Sequence, residues 1–294
     1  MVKHLISRNL RIYFRDKTAV FFSLLSALIV IILYIVFLAK MQNDEITKRV
    51  GDIITPEAVT YLVHSWILGG LLSITTITSV LGGFGGMVLD RERSVIMDFK
   101  SAPIKAWVYP FSHIVAAFLI GVFISLIPLV IYPILIYLMT GYSLTVMQLA
   151  QGFGLILLSS LINSFAMGLV CSFFGTVGAF SMASIIIGTT VGFINGLYVP
   201  IGILSPTVQN VLAAFPSANV AKVFREVFTK DALATAFSGV PSIFGEEYKS
   251  IYGIVLKFSD KEISDTLSLA YAAVVGLVAL CLMILNLQRK REEI

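Results

Sequence analysis

The chain has 294 residues, 57% of them hydrophobic and only 13% charged, with a formal net charge of +4 and a mean hydropathy of +0.93. Ordinary globular chains are about 25% charged, so this composition excludes a water-soluble domain and leaves one polytopic membrane domain. The basic excess sits in short runs beside apolar blocks, which points to a membrane surface and away from nucleic acid.

Residues 1–17 mix Leu5, Ile6, Leu10, Ile12, Tyr13 and Phe14 with Lys3, Arg8, Arg11 and Arg15. That pattern predicts an amphipathic helix lying in the headgroup plane, and it lacks the short apolar core and small-residue site of a cleavable signal. Residues 18–39, between Lys17 and Lys40, are uncharged and long enough for a first span. Residues 58–89 contain no Lys, Arg, Asp or Glu and hold a second span, 60–89. Its Gly82-Gly83-Phe84-Gly85-Gly86 run lacks the Lys-Ser/Thr of a phosphate cradle. It reads as close packing or a flexible joint.

A charged island follows, from Asp90-Arg91-Glu92-Arg93 to Lys105. Beyond it, residues 106–221 carry none of the four charged types. A soluble surface could not stay uncharged over such a run. Its length fits three spans, 107–139, 145–173 and 178–199, broken at Thr140-Gly141 and around Gly175-Thr176. Pro128 and Pro133 should kink the third span or loosen its hydrogen bonding. Small residues such as Gly168, Gly178, Gly188 and Gly192 suggest tight helix packing, within the subunit or across a dimer.

Residues 200–216 are still uncharged, yet proline-broken and too short to span; two short helical pieces dipping into the outer leaflet would fit. Residues 222–265 turn charged and read as an outer loop. A last span fills 266–288, which makes six, with both termini on one side. Assigning 1–17, 90–105 and 289–294 to that side gives it twelve basic and six acidic residues. The other side, 40–57 and 222–265, has nine basic and eleven acidic. The positive-inside rule makes the first side cytoplasmic.

The spans lack what coupled carriers and enzymes need. None has a charged residue in its interior, and their polar groups are Ser, Thr, Gln151, Asn163, Asn195 and Asn286. Intramembrane ionisable groups mark proton and ion pathways, so ion-coupled transport is disfavoured. His64 and His113, near span ends, read as interfacial or packing residues. Cys171 and Cys281, inside apolar segments, read as small buried hydrophobes rather than a disulfide or metal pair. There is no His-Glu-x-x-His, Gly-x-Ser-x-Gly or Cys-His arrangement and no ATP-binding module. Any energy source must be another polypeptide.

The parts together resemble the permease subunit of type-2 ABC exporters over nearly the whole chain. The resemblance rests on their order: interfacial helix, two spans, charged island, three spans, an outer re-entrant pair and a last span. In that family the island carries an acidic-Arg-Glu cluster, an apolar helical turn and then a proline. Here these are Asp90, Arg91, Glu92 and Arg93, then Val95, Ile96, Met97 and Phe99, then Pro103. Ser94 stands where a small residue, most often Gly, follows the cluster. The outer stretch matches through Pro200, Gly202, Pro206, Gln209, Pro216 and Arg225.

The resemblance implies an all-α polytopic membrane protein of six transmembrane helices, in the cytoplasmic membrane of a bacterium, with no catalysis of its own. The island would be a coupling helix seated in a groove on a cytosolic ABC ATPase. Val95, Ile96, Met97 and Phe99 would supply the apolar anchor, with Arg91, Glu92 and Arg93 as charge pairs at the rim. Two ATPase subunits, carrying ATP and Mg²⁺, would drive this permease and a second copy or homologue. The cargo would be amphipathic, as in drug, hemolysin and bacteriocin exporters. Translocation of a cell-wall polymer or lipid is an alternative. So is a non-transporting sensor, or a lipid-modifying enzyme using Glu246, Glu247, Lys249 and Asp260 of the outer loop.

Overall fold

The computed structural model describes residues 1–17, 20, 21, 23, 28, 29, 32, 39–50, 54–101, 105, 107–259 and 261–292. The expected first span, 18–39, lies largely outside the described residues, as do Pro103 and Asp260. The chain runs α1 (Val2–Arg15), α2 (Ala39–Val50), α3 (Pro56–Gly83), α4 (Gly85–Glu92), α5 (Val95–Ser101), α6 (Val108–Thr140), α7 (Val146–Ser172) and α8 (Val177–Ile194). A 3₁₀ turn (Ile201–Ile203) leads to α9 (Pro206–Ala213), α10 (Pro216–Ala236) and α11 (Ser242–Ile251). A two-residue hairpin, β1 (Lys257–Phe258) and β2 (Lys261–Glu262), precedes α12 (Asp265–Glu292). Five segments among the described residues are long and apolar enough to cross a membrane: Pro56–Glu92, Val108–Thr140, Val146–Ser172, Val177–Ile194 and Asp265–Leu287. The fold is an all-α polytopic membrane protein.

The helix ends follow from local chemistry. Pro56, Pro206 and Pro216 each stand at the first turn of a helix, where a missing N–H costs nothing. Gly141 ends α6 at φ 75°, the left-handed cap that glycine adopts without strain. Thr145 opens α7 with a capping box, its hydroxyl accepting from the Gln148 N–H while the Gln148 side chain accepts from the Thr145 N–H. Gln148 also donates to the Val227 carbonyl at 3.0 Å, so it joins the polar groups of the spans. α6 runs through both Pro128 and Pro133 without a break. Such prolines are tolerated in membranes where neighbours re-satisfy the freed backbone groups.

α3 is the mast of the bundle. From Val59 to Ile77 nearly every residue is buried, Leu62, Val63, Trp66, Ile67, Leu68, Leu71 and Leu72 completely. α6, α7 and α10 surround it, and α12 packs on α7 and α10. In hydrocarbon, helix pairing gains little from apolar burial, and close packing and hydrogen bonds take over. A side chain at Gly69 would strike the Arg225 backbone at 2.8 Å, and one at Gly83 would strike Ala117 Cα at 2.9 Å. Several α3 hydroxyls bond back to their own helix, Thr75 donating to the Leu71 carbonyl and Thr78 to that of Ile74. Thr76 and Asn163 meet Ser159, which ties α3 to α7.

Residues 222–265, expected as loop, are mostly helical. α10 alone continues to Ala236, and its face is buried against α3. The charges of α10 had suggested solvent; two of them point inward instead. Residues 195–199, expected at the end of a span, form turns beyond α8.

Candidate functional site

The island begins as the last turns of the mast. Phe84 makes the joint between α3 and α4, so the glycine run is where one helix hands over to the next. Asp90 on α4 is buried, 4% exposed. Arg8 of α1 donates to both of its carboxylate oxygens, at 2.8 and 2.6 Å. His113 Nε2 of α6 lies 3.6 Å from Oδ2, and the Tyr109 hydroxyl donates to the same oxygen at 3.5 Å. The Asp90 hydrogen bond raises the Arg8 pKa above its ordinary value, against the opposing cost of burial. A two-toothed arginine–carboxylate pair of this kind fixes geometry as well as charge. Next to it, Asn9 donates to the Ser112 hydroxyl at 3.3 Å, a second tie from α1 to α6.

Arg91 turns the other way. Its Nη1 reaches the carbonyls of Cys171, Ser172 and Phe174, at 3.2, 2.8 and 3.0 Å. Cys171 and Ser172 close α7 and Phe174 lies just beyond it, where carbonyls run out of intrahelical partners. A cation there also meets the negative pole of the helix dipole. Asn286 of α12 donates to the Ser172 hydroxyl at 2.6 Å, so α12 shares the joint. Asp90 and Arg91, adjacent in sequence, thus grip α1, α6 and α7.

The rest of the island faces out. Glu92 and Arg93 are exposed. Ser94 adopts φ 58°, a left-handed turn between α4 and α5 that glycine takes more readily. Val95 and Ile96 are half-buried, and Met97 is 43% exposed. Phe99 packs 5.3 Å from Tyr109, with the Arg8 guanidinium 5.7 Å over its ring. The sequence placed Arg91 at the rim with Glu92 and Arg93. In the structure it belongs to the inner clasp, and only the latter two are free to meet a partner's surface.

The proline-broken stretch that follows α8 forms a cap around the other end of the mast. Pro200 precedes the 3₁₀ turn. A side chain at Gly202 would strike the Ser250 carbonyl oxygen and Ile251 Cα of α11, so the two segments touch through backbone. Pro206 opens α9, and Gln209 donates to the carbonyls of Leu204 and Gly202 at 2.8 and 3.3 Å. Pro216 opens α10. Arg225 is fully buried; it donates to the Asn195 carbonyl at 2.6 Å and lies 4.8 Å over the Trp66 ring. Asn195 caps α8, so Arg225 does at this end for α8 what Arg91 does at the other for α7. Lys222, 4% exposed, pairs with Asp265 at the start of α12 and with Glu226 at 3.3 Å.

Arg8, Tyr109, His113, Asn9 and Lys222 were not read from the sequence as site residues. Arg8 lay in the basic stripe of α1, where its neighbours Arg11 and Arg15 are exposed. Only the fold distinguishes the one that points inward.

The model of the ABC-2 type transporter family matches residues 1–229. The chain belongs to the ABC-2 type transporter family. The match runs from α1 through the island and the spans as far as α8 and on into α10, and so includes both the clasp and Arg225. This ABC-2 protein is a membrane subunit of an ABC transporter, a permease crossing the membrane several times. Members of the family work in membranes with an ABC ATPase. No curated protein matches the chain.

Proposed function

We propose that this permease exports an amphipathic molecule across the cytoplasmic membrane, driven by ATP hydrolysis in a separate ABC ATPase subunit. One observation carries the reading: the island has an inner half bonded to three helices of the bundle and an outer half exposed. A push on Met97, Glu92 or Arg93 reaches Asp90 and Arg91 within one or two turns of helix. From there it passes to α1 and α6 through Arg8, His113 and Tyr109, and to α7 through its terminal carbonyls. Met97, Ile96 and Val95 supply the apolar anchor for the ATPase groove, and Glu92 and Arg93 the charges beside it.

The basic island and α1 lie on the cytoplasmic side in this reading, and the cap around Arg225 faces out. The working unit holds two ATPases and two permeases. α8 is the least covered of the five described spans. A side chain at its Gly178 or Gly188 would meet nothing within 4 Å. A second permease packs on this face. The described spans present no ionised side chain to lipid at mid-height, which favours amphipathic cargo over inorganic ions. Lipid translocation by the same machinery is the second reading.

Affinity purification of the tagged chain from native membranes in mild detergent tests the proposal. A co-purifying ABC ATPase whose hydrolysis responds to cargo, and loses that response in Glu92→Ala, supports it. A chain that purifies alone, with no associated ATPase activity, overturns it.

A further inference from the structure

The clasp uses only one side of α1. Asn9 and Tyr13 of this helix turn into the bundle and are buried. On the opposite side His4, Arg11 and Arg15 are exposed, and their spacing puts them on one line of the helix. Lys3 and Phe14 are exposed along one flank of that line, with Leu10 half-buried beside them. Arg8 stands at the margin between the two sides and is the residue turned onto Asp90. Among the described residues no carboxylate pairs with Lys3, Arg11 or Arg15. The chain then runs through exposed Lys17 toward the uncharged stretch 18–39, which the sequence assigns to the first span.

We propose that this basic face binds the anionic headgroups of phospholipids, and that the contact holds Arg8 on Asp90, so that lipid charge steadies the foot of the island. Each basic residue close to an anionic leaflet adds about fivefold in affinity. Phe14 and Leu10, on the same flank as Lys3, supply the apolar part that enters the boundary between headgroups and acyl chains. A zwitterionic surface leaves the arginines without net counter-charge, and a nucleic acid leaves Phe14 in water. An acidic protein face offers the same charge as the lipid, but the stripe runs directly into a membrane span, which favours lipid. The inference rests on α1 lying at the membrane surface and does not depend on what the chain transports.

The link to the island runs through one residue. A helix fixed on the lipid surface presents Arg8 at a set height, and a two-toothed pair at 2.8 and 2.6 Å tolerates little displacement. Release of α1 lets Arg8 extend into water, where 34% of its side chain already lies, and leaves Asp90 buried without its cation. Lipid charge and clasp are thus coupled with no contact between lipid and Asp90. The lipid acts because it favours the clasped position of α1 over the released one.

The test places the full chain in nanodiscs of phosphatidylcholine, with or without phosphatidylglycerol. It needs neither an ATPase nor cargo, so its result is separate from that of the co-purification. Spin-labelled phosphatidylglycerol should be held at the protein boundary about twofold better than spin-labelled phosphatidylcholine, and the preference should fade in molar salt. Lys3→Gln with Arg11→Gln and Arg15→Gln should lose most of the preference with unchanged melting in detergent. Lys257→Gln with Lys261→Gln, on the hairpin beyond α11, should keep it. Hydrogen exchange of the α4 amides should slow several-fold when phosphatidylglycerol is present. In Arg8→Ala the lipid preference should stay and that slowing should vanish. No preference for phosphatidylglycerol, or an equal loss in the hairpin variant, overturns the lipid site. A triple variant that keeps its lipid preference but loses ATPase binding also overturns it, and assigns the stripe to an acidic face of that subunit. Exchange in α4 that ignores the lipid, or that responds equally in Arg8→Ala, overturns the link to the clasp.

Discussion

Arg8 and Asp90 are 82 positions apart, yet the guanidinium of one covers both oxygens of the other at 2.8 and 2.6 Å. The pair fastens the surface helix α1 to the foot of the central mast. Asp90 is nearly fully buried, while about a third of the Arg8 side chain, 34%, remains exposed. The two ends of the pair therefore respond differently to loss of a partner.

Arg8→Ala strands a buried carboxylate. Stranding a partner in a fully buried pair costs about 3–5 kcal/mol; with Arg8 partly in water, about 2 kcal/mol is expected. Asp90→Ala costs less, because the freed arginine can extend to solvent. The double variant should lose at least about 1 kcal/mol less than the sum of the single losses. Thermal unfolding of the four proteins in detergent measures this, and strict additivity would remove the pair as a unit.

Arg91 and Glu92 are neighbours with opposite expectations. Arg91→Lys keeps the charge but replaces a planar fork with a single flexible ammonium, so the α7 terminus loses its cap and the melting temperature falls. Glu92→Ala, at the surface, should change stability by no more than about 0.5 kcal/mol. It should nonetheless abolish cargo-stimulated ATP hydrolysis. A Glu92 variant that melts early, or one that transports normally, contradicts the division of the island into inner and outer halves.

Ser94 sits at φ 58° between α4 and α5. A left-handed residue with a Cβ costs roughly 1–2 kcal/mol, so Ser94→Gly should be neutral or stabilising by up to about 1 kcal/mol. Ser94→Val, β-branched, should destabilise by more than about 1 kcal/mol. Chemical denaturation of the two variants in parallel decides it.

Two glycines separate packing inside the subunit from packing between subunits. Gly202→Ala has no room, since its Cβ would meet the backbone of Ser250 and Ile251. The cap should loosen, and protease cleavage between α10 and α11 should rise. Gly188→Leu has open space in the subunit, so the monomer should melt normally. If α8 is the pairing face, cysteine cross-linking across it should drop several-fold in this variant. Unchanged cross-linking would move the pairing face elsewhere.

Much of this molecule is legible in its sequence. An uncharged run as long as 106–221 has one compatible solvent, and hydrocarbon in turn demands helices, because no water satisfies a bare backbone. The all-α membrane fold class follows from that constraint, and the resemblance to ABC permeases rests on the order of parts around the island. The breaks are local chemistry as well: a glycine cap at Gly141, a capping threonine at Thr145, prolines at the first turns of α9 and α10.

What the sequence did not determine is which charges face inward. Arg8, Arg11 and Arg15 share one stripe of one helix, and Arg8 is the one that meets Asp90, because α1 lies across α6 beside the foot of the mast. Lys222 and Arg225 mark α10 as aqueous by composition, yet both are buried, since each finds an oxygen partner on another helix: Asp265 on α12, the Asn195 carbonyl at the end of α8. Arg91 is drawn in by three carbonyls roughly 80 residues away in sequence. A charge can leave water only where compensating groups converge on it. That convergence is a property of the assembled helices, and no single stretch of chain contains it.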